Sequence, residues 1–307
     1  MQLVSMTAVA TATVVALLSI VQISPADANP AECAALRSKY IEAKPTIIEI
    51  EVSNYVITAA KKGCVELTKT LLADGGSVIM QVGIGDTALH HAAESGEVEI
   101  AELLLARGAD IDKRDIKGST ALFLAAENNQ PEMVKFLLEK KADPNIPGRS
   151  DATSLAAAVF SGNAEIVDML LTHGVDAKTL DKTGKAAILY AAARGFTKLT
   201  ERLLLAGVDV NTTYGNNLTA LMWAAGFSED APEEDGVKTV TLLLDKGAKI
   251  DVQDDRGYTA LTTAAELGHD GVVDLLLKRG ADRAIKSKDG KTAADLATTE
   301  AVKALLK

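Results

Sequence analysis

Residues 85–110 read GDTALHHAAESGEVEIAELLLARGAD, and residues 257–282 read GYTALTTAAELGHDGVVDLLLKRGAD. Both carry a threonine (Thr87, Thr259), an alanine five places on (Ala92, Ala264), a leucine pair (Leu104-Leu105, Leu276-Leu277) and a closing Gly-Ala-Asp. The same register runs through the chain between them. Thr87, Thr120, Thr153, Ala186 and Thr219 are each 33 residues apart; Thr219 to Thr259 is 40, and Thr259 to Thr292 is 33 again. Ala125, Ala158, Ala191, Ala224 and Ala297 keep step, as do leucine pairs at 137–138, 170–171, 203–204 and 243–244. A period of this length marks stacked supersecondary units, each burying its apolar face against its neighbours.

Within one unit, Thr87 is placed to cap a short helix over Ala88 to Glu94 that buries Leu89, Ala92 and Ala93. Gly96 turns the chain, Val98, Ala101, Leu104 and Leu105 form the stripe of a second helix, and Gly108 supplies a left-handed stop. Lys141-Ala142-Asp143 is the variant exit without glycine. Composition agrees: 48% apolar and 24% charged residues describe an ordered soluble chain, while only 4% aromatics argue against one thick core. Small alanines and leucines fill thin helical layers instead.

This pattern resembles the ankyrin repeat, and the resemblance covers about residues 52–307. It implies an all-α solenoid of stacked helix-turn-helix units with short hairpin tips. About seven repeats are expected, followed by a truncated polar cap over 290–307. Residues 54–83 form a divergent first repeat that keeps Ala59-Ala60, Gly63, Leu71-Leu72 and Gly75. The family's Thr-Pro-Leu-His tetrapeptide is altered: alanine, or Ser154 once, replaces the proline, and only Thr87-Ala88-Leu89-His90 keeps the histidine. Ankyrin-like proteins generally bind partners through loop tips and the first-helix face. Carried over by position, the early units offer His91, Glu94, Ser95, Arg114, Lys117, Leu124, Glu127 and Asn128, and the late units Arg256, Tyr258, Glu266 and Lys286. The middle units concentrate the few aromatics. The expected protein-binding patch is Phe160, Tyr190, Arg194, Leu218, Trp223 and Phe227, with Tyr258 beyond it. The competing reading is that Tyr190 and Trp223 merely fill the gap between first helices.

The N-terminus reads as an address. Residues 3–23 contain no charge and precede Ser24-Pro25-Ala26-Asp27-Ala28, an A-x-A site expected to be cut after Ala28. Retention as a membrane anchor is the alternative, since about 20 apolar residues can span a bilayer. Residues 29–51 then form an N-terminal helical segment. Export, to a periplasm or outside the cell, would permit a bridge between Cys33 and Cys64, worth on the order of 3 kcal/mol. Two buried thiols are the alternative. Two N-x-T sequons, at Asn211 and Asn217, lie beside the aromatic strip, which favours a bacterial source where they carry no glycan.

Other chemistry is sparse. The formal net charge of −10 disfavours nucleic acid and anionic lipid surfaces. Gly83 and Gly85 fit a dinucleotide-loop spacing, yet the repeat explains Gly85, whose counterparts are Gly118, Gly184 and Gly257. His90-His91 lacks further ligands for a metal, and His90 reads as a repeat histidine. No catalytic motif is present, so no catalytic, cofactor or metal residue is assigned. The expectation is a monomeric, exported module that binds a partner protein through its concave groove as scaffold, protector or inhibitor; a membrane-tethered scaffold held by residues 3–23, an immunity protein or a host-directed effector are the alternatives, and an enzyme is not expected. The seven-residue insertion Glu229 to Asp235, five of them acidic, reads as a longer turn in the sixth unit, either a solvated loop or a contact for a basic partner or calcium.

Overall fold

The computed structural model describes residues 30–83, 85–228 and 231–307. The apolar segment 3–23, its cleavage site and residues 229–230 lie outside the described residues. Among the described residues the regular structure is 17 α-helices and two short 3₁₀ turns, with isolated β-bridges at Val82–Asp86 and Tyr214–Leu218.

The chain divides into two compact units, one ending at Ile116 and one running from Lys117 to Lys307. The sequence reading placed no boundary there. The first unit holds α1 (Pro30–Ala43), then the pairs α2 (Glu49–Lys61) with α3 (Val65–Ala73) and α4 (Ala88–Ser95) with α5 (Val98–Ala106). The second holds six pairs: α6 (Ala121–Glu127) with α7 (Pro131–Glu139), α8 (Ser154–Ser161) with α9 (Ala164–Thr172), and α10 (Ala187–Ala193) with α11 (Thr197–Leu205). These are followed by α12 (Ala220–Ala225) with α13 (Glu233–Asp245), α14 (Ala260–Leu267) with α15 (Asp270–Lys278), and the short α16 (Ala293–Leu296) with α17 (Glu300–Leu305). First helices pack on first helices in the order α6, α8, α10, α12, α14, α16.

The repeated positions explain the stacking. Ala59 and Ala92 in the first unit, and Ala125, Ala158, Ala191, Ala224 and Ala264 in the second, are wholly buried. A methyl group there lets neighbouring helices close on each other. The first leucine of each pair is equally buried, at Leu104, Leu137, Leu170, Leu203, Leu243 and Leu276. The second leucine of most pairs sits at the edge; in α5 the buried stripe is Ile100, Ala101 and Leu104, with Val98 and Leu105 flanking it. Threonines cap the first helices: the hydroxyls of Thr120, Thr153, Thr219 and Thr259 accept from the N–H groups of Phe123, Ala156, Met222 and Thr262. In α4 the ring of His90, buried with Thr87, closes the same turn, its Nδ1 accepting from Thr87 N at 3.1 Å.

Tips in the second unit are closed and joined by a recurring set of backbone bonds, with side chains such as Asp181, Asp254 and Gln253 adding to them. Asp181 N donates to Lys185 O at 2.9 Å, and Tyr214 N to Leu218 O, Asp254 N to Tyr258 O and Ser287 N to Lys291 O do the same. Between tips, Lys182 N donates to Ser150 O, Gly215 N to Gly184 O, Asp255 N to Asn216 O and Lys288 N to Arg256 O. Because peptide groups make these rungs, tip side chains are free to vary while the register holds.

The insertion differs from its sequence reading. Glu233, Glu234 and Asp235 do not lengthen a loop; they form the first turn of α13, which has 13 residues against nine in α11 and α15. Carboxylates favour a helix N-terminus. Glu234 pairs with Lys238 at 2.7 Å, and Glu233 Oε1 accepts from Gly271 N at 2.9 Å.

In the first unit α1 lies on α2. A disulfide joins Cys33 of α1 to Cys64. Tyr40, the one fully buried side chain of α1, packs edge-on against Tyr55 and donates to Asp74 Oδ2 at 2.7 Å, where Lys44 also binds.

Candidate protein-binding site

Along α8, α10 and α12 the unburied side chains are Phe160, Ser161, Tyr190, Ala193 and Trp223, three of them aromatic. Phe160 is the last residue but one of α8, and its ring meets the Tyr190 ring of α10 edge-on at 6.4 Å. Arg194, the C-cap of α10, lays its guanidinium over Phe160 at 5.0 Å and over Phe196 at 5.2 Å. Trp223 occupies in α12 the position that Tyr190 holds in α10, 33 residues earlier. Lys185, at the tip preceding α10, places its ammonium 5.5 Å from the Trp223 ring centroid. All six side chains are half-buried, anchored below and accessible above.

Polar bonds fix part of this strip. Tyr190 OH donates to Asp181 Oδ2, and Asp181 Oδ1 accepts from Thr183 N and from Lys185 N. Burial pushes the Asp181 carboxyl up, but hydrogen bonds from Tyr190, Thr183 and the peptide groups of Lys185 and Thr183 outweigh it, leaving the pKa below the usual carboxylate value. Burial, then the bond to Asp181, pushes the Tyr190 phenol well above its ordinary range. Both residues hold one protonation state at physiological pH and orient the ring. By contrast, Trp223 Nε1 and Arg194 Nε are shielded from solvent and have no acceptor. A donor in that condition forfeits about 1–3 kcal/mol of solvation.

Two residues expected on the strip are not available there. Phe227 is only 6% exposed: its ring stacks on His269 at 4.0 Å and fills the space left by Gly236, where a Cβ would come within 2.4 Å. The elongated α13 covers it. Tyr258 is 8% exposed, its ring under the Arg256 guanidinium at 4.1 Å and its N–H bound to Asp254. Leu218 is half-exposed at the closing end of its tip, paired with Tyr214. Among the early residues, His91 lies in the first unit between Asp86, at 3.8 Å, and Glu94, at 3.6 Å. Glu127 is tied to Arg149.

The sequence reading missed Lys185 and Phe196. Phe196 had a signal: it stands where other repeats carry Glu97, Gln130, Asn163 and His269, so a large apolar ring is out of pattern. Among the described residues no group of three His, Cys, Asp or Glu side chains is placed to hold a metal ion.

These features define an all-α repeat protein with an aromatic and cationic strip across three first helices. Residues 56–148, 154–233 and 229–307 match the family "Ankyrin repeats (3 copies)", and the chain belongs to that family. A Treponema pallidum (strain Nichols) ankyrin repeat-containing protein is 36% identical over 86 residues, 24% of this chain and 29% of that protein. Mouse ankyrin repeat and SAM domain-containing protein 6 is 47% identical over 58 residues, 19% of this chain and 7% of its own length. The human NAD-capped RNA hydrolase NUDT12 is 37% identical over 71 residues, 23% of this chain and 15% of that enzyme, a match confined to its ankyrin region. The chain thus spans less than a third of each relative's length. Ankyrin repeats generally mediate protein–protein contacts and are typically non-catalytic.

Proposed function

We propose that this chain is an exported interaction module that holds a partner protein on the first-helix face of α8, α10 and α12, as scaffold, protector or inhibitor of that partner. The observation that carries the reading is the strip itself. Half-exposed Phe160, Tyr190 and Trp223, interleaved with Arg194 and Lys185, are the residue types that dominate interface energy, often by about 2 kcal/mol or more each. The rest of the chain spends its aromatics mainly on packing, as Tyr40 and Phe123 show. Export is supported by the uncharged segment 3–23, the small-residue site ending at Ala28, and the Cys33–Cys64 bridge, which suits an oxidising compartment.

The test uses the full chain, affinity-tagged at its C-terminus and expressed in its own cells, as wild type and Trp223→Ala. A protein retained by the wild type and lost by the variant, with both chains equally folded by circular dichroism, is the expected result. Equal retention by both would place the contact elsewhere. N-terminal sequencing of the same preparation tests export: a chain starting at Asn29 supports it, and a chain retaining residues 3–23 refutes cleavage.

A further inference from the structure

The strip lies on a protein with a net charge of −10, yet its own free charges are positive. Arg194 and Lys185 reach no carboxylate among the described residues, and each is held by rings instead. Of the described carboxylates beside the strip, Asp181 is taken up by Tyr190, Thr183 and backbone donors, and Asp235, against Gly195, pairs with Lys238. Several other cations of the chain reach carboxylates. Arg202 pairs with Asp168, Arg279 with Asp245, Lys238 with Glu234 and Arg256 with Asp254. Two cations without a carboxylate among the described residues, at opposite ends of one helix, plus two shielded N–H donors without acceptors among those residues at Trp223 and Arg194, are the complement of a ligand rich in acceptors and negative charge.

We infer that the strip's occupant is an acidic segment of another protein, running along α10 with one carboxylate on Lys185, a second on Arg194, and an apolar side chain between them on Trp223 and Tyr190. This deepens the proposed function and rests on it. Lys185 lies two residues before α10 and Arg194 just after it, so the two cations flank a helix of seven residues, about 10 Å long at 1.5 Å per residue. An extended segment of five residues, about 13 Å between its ends at about 3.3 Å per step, reaches past both ends of that helix. The expected motif is therefore an acidic residue, an aromatic or aliphatic residue two places on, and a second acidic residue two places beyond that. Small rotations of the half-buried Trp223 and Arg194 would turn their free N–H groups toward partner carboxylate or carbonyl oxygens. The net negative charge around the strip would exclude acidic surfaces that lack the apolar anchor, so recognition needs both parts.

A displayed library of short random peptides, selected on the immobilised full chain, tests this. The recovered pool should be enriched in two Asp or Glu residues four apart with an apolar residue between. Added peptides should shift the fluorescence of Trp223, the single tryptophan, with an affinity that falls as salt is raised. Lys185→Gln and Arg194→Gln, each checked for unchanged thermal unfolding, should weaken binding by about tenfold or more. The double reversal Lys185→Glu/Arg194→Glu should recover Lys- and Arg-bearing peptides from the same library. Peptides that depend on Trp223 but carry no acidic bias would overturn the inference and leave the binding strip standing. Peptides that bind Trp223→Ala equally well, or no recovered binder at all, would overturn both.

Discussion

Ala186 begins α10 where the neighbouring first helices α6, α8, α12 and α14 begin with Thr120, Thr153, Thr219 and Thr259. Its backbone already has the extended cap conformation, φ −99° and ψ 164°, but with no hydroxyl at the cap the N–H of Leu189 turns to the Ala186 carbonyl at 3.0 Å instead. Ala186→Thr is therefore expected to stabilise the second unit by about 1 kcal/mol, and Thr219→Ala to destabilise it by a similar amount, read by urea denaturation. Phe227 carries the opposite lesson. It stands 33 residues after Arg194, so the register assigns it to the exposed strip. Its burial depends on α13, whose first turn exists only because of the insertion, and no periodic argument reaches an aperiodic segment. Phe227→Ala should consequently cost about 3 kcal/mol of stability, as a core truncation does. Trp223→Ala should leave the melting temperature nearly unchanged and act on binding.

At the scale of elements, α1 shows how a helix with almost no apolar face is held. Tyr40 supplies its buried side chain, the Cys33–Cys64 bridge one covalent tie, and Lys44–Asp74 and Lys62–Glu32 two ionic ones. Burial, the bond to Asp74 and the Asp74 charge push the Tyr40 phenol from 10.0 up to about 12. The neutral phenol is the form the fold prefers, so its contribution is complete below pH 10 and is lost as pH rises from there towards about 12. Asp74 runs the other way. Hydrogen bonds from Lys44 and then Tyr40 lower its pKa from 3.8, so its contribution is present above that value and fades as pH falls below it. The protection of α1 amides against hydrogen exchange, relative to their intrinsic rates at each pH, should be greatest between these limits. Tyr40→Phe should flatten the alkaline arm and cost about 1 kcal/mol. A thiol assay on the native full chain should find no reactive sulfur, and reduction should destabilise the first unit by about 3 kcal/mol. The helices of the repeats were readable because capping threonine, alanine and leucine recur in one order. The extra turn of α13 was not: a run of acidic residues reads equally as a loop until Pro232 and Gly271 are seen to frame it.

Across the whole molecule, the period made the architecture legible, because every repeat solves the same packing problem with the same residues. The binding strip was only half legible. Which rings stay accessible depends on what the neighbouring repeats place over them, and that varies: His269 stacks on buried Phe227, whereas Phe160 under Arg194 and Trp223 beside Lys185 stay half-exposed. Such local dependence has a thermodynamic consequence. Stability in a repeat stack is a sum over units and their immediate interfaces. Leu203 is wholly buried in α11, a helix that packs on α10 of its own repeat and on α13 of the next. Leu203→Ala should cost about 2–5 kcal/mol, and that loss should be confined to α10 through α13 rather than spread over the chain. Hydrogen exchange is the measurement: protection should collapse in those helices and be retained in α2 to α5 and in α16 and α17. A uniform loss at every helix would mean that the chain unfolds as a single cooperative block. Binding of strip-directed peptides should fall in the same variant without any change at the strip, since α10 and α12 present Tyr190 and Trp223 only while α11 and α13 support them from behind.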